Sequence, residues 1–124
     1  MHKEGRRGVM HAVDAFVFSM KGLRTAWANE TAFRLQCALL VPLVPLAFLI
    51  ARSAVELSLL LGACGLVLMA EMFNSAIERL VDRVGTDIHP LSGQAKDLGS
   101  AGVFIAMMLF LVVWLPIGWA NLAG

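Results

Sequence analysis

Charge is scarce in this sequence. Only 15% of its 124 residues are Asp, Glu, Lys or Arg, against about 25% in a typical soluble domain. Apolar residues fill the deficit at 59% of the chain, and a single domain this short has too little interior to hide them. With mean hydropathy at +0.77, the surplus must face lipid. Ten basic residues against nine acidic leave a net charge of +1, which excludes a broad basic surface for nucleic acid. Cysteine is equally sparse. Cys37 and Cys64 both lie in apolar stretches, without the spacing of a disulfide framework or a metal site, and read as buried thiols without chemistry. No GxxxxGK[ST] phosphate loop and no GxGxxG fingerprint occurs. His2, His11 and His89 are too scattered for a zinc site. Disordered, collagenous and disulfide-rich classes are excluded by the same composition.

What is present is an all-α membrane protein. Leu35 to Ala51, Leu57 to Ala70 and Leu98 to Gly124 carry no charge, and a spanning helix needs about 20 mostly apolar residues. The middle stretch reaches that length only by running on through Glu71, and no Gly or Pro interrupts the chain from Leu66 to Val84. The expected layout is one domain over residues 1–124, with transmembrane helices at 30–51, 53–84 and 93–121. Residues 1–29 are polar and charged where a secretory signal would have an apolar core. Val9, Val13, Phe16, Val17, Met20, Leu23 and Trp27 recur there at three- and four-residue steps. That predicts an amphipathic helix along the membrane surface. All the Lys and Arg except Arg52 fall in the N-terminal segment or between Arg79 and Lys96. The positive-inside rule then predicts a cytoplasmic N-terminus and 80s loop, with the C-terminus outside.

Chemistry concentrates on the second span. Glu71, Asn74, Glu78 and Asp82 step by 3, 4 and 4 and share one helix face. Asp82 is expected at the interface, which puts Glu71 about 16 Å deeper. A carboxylate at that depth costs at least ~2.5 kcal/mol unless it meets a partner or cavity, and is a functional candidate by default. The blander role is a neutral Glu that hydrogen-bonds between helices. Glu30 enters the first span at the same interface, and a Gly-containing loop leads into Lys96 and Asp97. Carboxylates, a lysine and a flexible loop suit a magnesium–phosphate site, because magnesium takes one or two carboxylates plus substrate phosphates. A rival class is a small proton- or cation-coupled transporter built on Glu71, which leaves Glu30, Glu78 and the Lys96–Asp97 pair idle. A membrane adaptor without chemistry accounts for none of these residues.

The motifs then resemble a known family. Lys21-Gly22-Leu23-Arg24-Thr25-Ala26-Trp27, Asn29-Glu30, Ala32-Phe33-Arg34, Glu71-x-x-Asn74-Ser75-Ala76-Ile77-Glu78, Val81-Asp82-Arg83 and His89-x-Leu91-Ser92-Gly93-x-Ala95-Lys96-Asp97-x-Gly99-Ser100-Ala101 closely resemble the bacterial membrane diacylglycerol kinase. The resemblance is collinear from about residue 15 to the C-terminus. The related undecaprenol kinase is the alternative, and KGLRTAW and LSGQAKD favour diacylglycerol. The resemblance implies a homotrimer in the bacterial inner membrane, with sites shared between subunits. It implies magnesium-dependent transfer of the ATP γ-phosphate to diacylglycerol, giving phosphatidic acid. Glu71 matches the general base, with Asn74 beside it, and Glu30 and Glu78 match the carboxylates that hold ATP-bound magnesium. His11, Phe18, Asp87, Ile88, His89, Lys96 and Asp97 match nucleotide contacts. Met20, Arg24, Trp27, Ala32, Arg34, Ser100 and Trp114 match the lipid side. The chain departs from the family at His11 (family Arg), Phe18 (Tyr), Met20 (Trp) and Gln36 (Glu).

Overall fold

The computed structural model describes residues 2–85 and 88–124, and every regular element in them is a helix: α1 (His2–Asn29), α2 (Thr31–Ile50), α3 (Ala54–Val84) and α4 (Pro90–Ala123). The last three are long and apolar enough to cross a membrane, and α1 precedes them, as the sequence predicts for the fold class. At about 1.5 Å per residue, the 31 residues of α3 and 34 of α4 exceed a hydrocarbon core of about 30 Å. Their facing ends therefore project into the headgroup region, where the charged residues are.

Local chemistry sets the boundaries. Between α1 and α2 only Glu30 leaves helical geometry, with φ −109° and ψ 105°. Arg34 closes that corner, donating from Nη1 to the carbonyls of Trp27 (3.0 Å) and Ala28 (3.3 Å), so two of the orphan acceptors at the end of α1 are satisfied. Ser53 caps α3 by accepting from the Glu56 amide at 3.1 Å, and Glu56 Oε2 accepts from the Arg52 amide at 3.2 Å. This is a variant of the reciprocal S-x-x-E cap. Pro90 opens α4 behind the N-cap residue His89, where its missing N–H costs nothing. Pro42, Pro45 and Pro116 lie inside helices, a placement that spanning helices tolerate.

Packing is uneven. The principal seam joins α3 to α4, and α2 lies against α3. The core gathers near the α2–α3 turn: Ala47, Ile50, Leu60, Ala63, Cys64 and Trp114. Trp114 stacks on Phe110 with centroids 5.3 Å apart and donates Nε1 to the Leu60 carbonyl at 3.1 Å. A second polar clasp ties this end together. Asn121 Nδ2 donates to Ile50 O (2.6 Å) and Glu56 Oε1 (2.9 Å), while Arg52 Nη2 donates to Asn121 O (3.0 Å). Most large apolar side chains elsewhere remain exposed, far more than a soluble monomer leaves uncovered. Lipid or further protein must cover them.

Candidate active site

At the other end of the bundle, each acid of the second span has a partner. Glu71 is buried, 9% exposed, and Ser75 one turn on is buried beside it. Gln36 of α2 donates Nε2 to Glu71 Oε2 at 3.5 Å, leaving its own Oε1 buried without a partner. Asn74 donates Nδ2 to Glu78 Oε1 at 3.3 Å, and its Oδ1 is likewise buried and unpartnered. Glu30 Oε1 accepts from Arg79 Nη2 at 3.1 Å, and Asp82 Oδ1 accepts from Lys96 Nζ at 2.8 Å. The start of α2, the last turns of α3 and the start of α4 thus converge on one cluster of carboxylates. The charges of Glu30 and Glu78 both bear on Glu71.

Asn74 sits there because α4 leaves room for it. A Cβ on Gly99 would lie 2.5 Å from Asn74 Oδ1 and 3.5 Å from both Asn74 Cγ and Ile77 Cδ1. Gly99 therefore belongs to the site through the space it vacates, beyond easing helix packing. Next to this cluster, Val81, Asp82, Gly85, Ile88, His89, Ser92, Gly93 and Lys96 line a cavity of about 440 Å³. His89 spends its Nδ1 on the α4 cap, accepting from the Leu91 amide at 3.1 Å, so only Nε2 is left for a ligand.

The single chain brings together Glu30, Glu71, Asn74, Glu78 and Lys96, with Ile88 and His89 at the adjoining cavity. Asp97 and Ser100 follow on α4 and are exposed, and Ala32 is exposed at the start of α2. Asp87 lies outside the described residues. His11, Phe18, Met20, Arg24 and Trp27 are exposed along α1, which packs chiefly against α2. Lys21 Nζ stands 5.6 Å from the centre of the Phe18 ring, within cation–π range. Arg34 is engaged at the α1–α2 corner. Trp114 is in the core beside Leu60, 11 residues and so about 16 Å along α3 from Glu71. Three participants were not among the expected site residues: Gln36, Arg79 and Gly99. Gln36 had two sequence signals, being an amide within an otherwise apolar stretch and a departure from the family pattern. For Arg79 the sequence offered only commonplace pairing with a neighbouring acid.

Chemically the cluster gathers carboxylates, the buried Glu71 among them, whose partners are two amides and two basic side chains. The chain is similar to known proteins along most of its length. The diacylglycerol kinase of Haemophilus influenzae is 45% identical over 107 residues, covering 86% of this chain and 91% of that protein. Those of Escherichia coli (strain K12) and Pseudomonas aeruginosa are 40% and 42% identical over 114 residues, covering 92% of this chain and 93% of each relative. Residues 17–117 match the family described as prokaryotic diacylglycerol kinase, and the chain belongs to that family.

Proposed function

We propose that this chain is an ATP-dependent diacylglycerol kinase of the bacterial inner membrane, transferring the γ-phosphate to the primary hydroxyl of diacylglycerol to give phosphatidic acid. One observation carries the reading: buried Glu71 shares a face of α3 with Asn74 and Glu78, and Glu30 is drawn alongside by Arg79. A base below the interface and paired carboxylates above it suit a hydroxyl presented from lipid and a phosphate presented from water. The names of the relatives supply the substrate.

Glu30 and Glu78 fit magnesium, which prefers one or two carboxylates and leaves its other positions to phosphate oxygens. Among the described residues no group of three His, Cys, Asp or Glu could hold a metal. When bound there, magnesium would neutralise phosphate charge and help align the transferring group. Glu71 takes the hydroxyl proton as the lipid oxygen forms its bond to the γ-phosphorus. The bond from that phosphorus to the bridging oxygen breaks, and ADP leaves with the electron pair. Asn74 holds the Glu78 carboxylate through Nδ2. Lys96, released from Asp82, and Asp97 contact the nucleotide together with Asp87, Ile88, His89, His11 and Phe18. Met20, Arg24, Trp27, Ala32, Arg34 and Ser100 attend the lipid.

Because α1 stands on α2 with its chemistry-bearing side chains exposed, the reading includes a homotrimer in which α1 of one subunit completes a neighbour's site. The reading also takes the N-terminus and the α3–α4 loop as cytoplasmic and the C-terminus as outside, on the strength of the positive-inside rule, with residues 1–124 as one kinase domain. The test is thin-layer separation of labelled lipid after incubation with γ-labelled ATP, magnesium and either diacylglycerol or undecaprenol. Labelled phosphatidic acid is expected; label in undecaprenol alone would refute the assignment. Glu71→Gln should lower kcat by about 10²–10⁴, the usual worth of a general base, with nucleotide binding kept. A folded variant with most of its kcat would leave Glu71 as a hydrogen-bonding anchor.

A further inference from the structure

Glu30 occupies a position where its side chain has other work available. It is the N-cap residue of α2, and a carboxylate there ordinarily accepts from the second or third amide of the helix. Here the side chain makes no capping bond. It turns across to α3 and accepts from Arg79 Nη2 at 3.1 Å, from a residue 49 positions away. The carboxylate is largely enclosed, 22% exposed, whereas the arginine side chain is 50% exposed. Glu78, the next residue before Arg79, is committed to Asn74. One guanidinium therefore balances the acid that the proposed reaction assigns to magnesium.

We propose that Arg79 is a resident counter-ion for Glu30: it holds the carboxylate in place without metal and competes with magnesium–nucleotide for it. Arg79 thereby sets the magnesium concentration at which nucleotide binds. The inference rests on the reading of Glu30 as a magnesium ligand. Its physical basis is simple. The charges of Glu30 and Glu78 both bear on buried Glu71, and like charges without a cation repel. Arginine remains charged at any physiological pH, so it can serve as that cation permanently. A divalent ion must displace it, or share Glu30 with it, before the nucleotide is held. The opposite role, a guanidinium clamp on phosphate oxygens, predicts an effect of opposite sign.

The experiment measures binding of a fluorescent, non-hydrolysable ATP analogue to the purified full-length protein at stepped magnesium concentrations. Wild type, Arg79→Gln, Arg79→Lys, Glu30→Gln and the Arg79→Gln/Glu30→Gln double variant are compared. Arg79→Gln should lower the half-saturating magnesium about two- to fivefold, the worth of a half-exposed ion pair. Arg79→Lys, which keeps the charge, should stay near wild type, and the effect of Arg79→Gln should vanish in the Glu30→Gln background. Arg79→Met, which keeps the apolar stem, gives the same test if the glutamine variant does not fold. An unchanged or raised magnesium requirement in Arg79→Gln, with a raised one in Glu30→Gln, would overturn the inference and leave the ligand role of Glu30 intact. No change in Glu30→Gln would remove that ligand role and the inference with it.

Discussion

Adding one methyl group at Gly99 tests whether α4 positions the chemistry on α3. The new Cβ would lie 2.5 Å from Asn74 Oδ1, where a carbon and a carbonyl oxygen settle at about 3.3–3.6 Å. Roughly 1 Å must be found. The Asn74 amide yields first, because its Oδ1 has no hydrogen bond to hold it. The Nδ2 bond to Glu78 is already 3.3 Å long, so it breaks as the amide moves. A displacement of about 1 Å at a positioning group can cost up to about 10² in rate, and Gly99→Ala should lower kcat about 10- to 100-fold. Stability should change far less. Overpacking costs about 1–3 kcal/mol, and the better helix propensity of alanine returns about 1 kcal/mol. The assay is steady-state turnover beside a thermal unfolding midpoint, repeated in an Asn74→Ala background. If the effect runs through Asn74, the double variant is no slower than Asn74→Ala alone. A folded Gly99→Ala protein with wild-type turnover, or fully additive losses in the double variant, would refute the reasoning.

Two further predictions separate the ends of the bundle. Gln36→Leu removes a donor to Glu71 along with a buried, unpartnered Oε1, so turnover and stability should move in opposite directions. We expect kcat to fall about tenfold, the low end for a hydrogen bond to a charged group, with an unfolding midpoint at or above wild type; parallel losses of both would contradict this. Asn121→Ala breaks the clasp to Ile50 and Glu56 and should cost about 1–3 kcal/mol, read as a lower midpoint. Turnover per folded molecule should stay intact, since Asn121 is 25 residues, about 37 Å, along α4 from Lys96; a kcat deficit there would tie the two ends together.

The candidate site was only partly legible in the sequence, and particular residues show where legibility stopped. The common face of Glu71, Asn74, Glu78 and Asp82 could be read because helical periodicity is local: steps of 3 and 4 fix relative direction whatever the helix packs against. Gly99 was readable as part of the motif that carries the family resemblance, without any indication of which side chain it faces. His89 was readable as a loop residue near the nucleotide, but its Nδ1 caps α4, a role set by the turn geometry before Pro90. Trp114 carried an expected lipid role, and the fold packs it against Leu60 and Phe110.

A membrane protein with three spanning-length helices behind an amphipathic one, and the acids that share a face, could be read from the residues alone. Length, apolar content and helical period decide these, and none depends on a distant residue. The pairs come from the assembled helices: Gln36 with Glu71, Glu30 with Arg79, Lys96 with Asp82, Asn121 with Ile50 and Gly99 with Asn74. Each depends on how far one helix is rotated about its axis and slid along its neighbour. Spans that are apolar almost all the way round carry little periodic signal to specify that rotation. It is set instead by packing along the α3–α4 seam, where the missing Cβ of Gly99 makes room for the Asn74 amide.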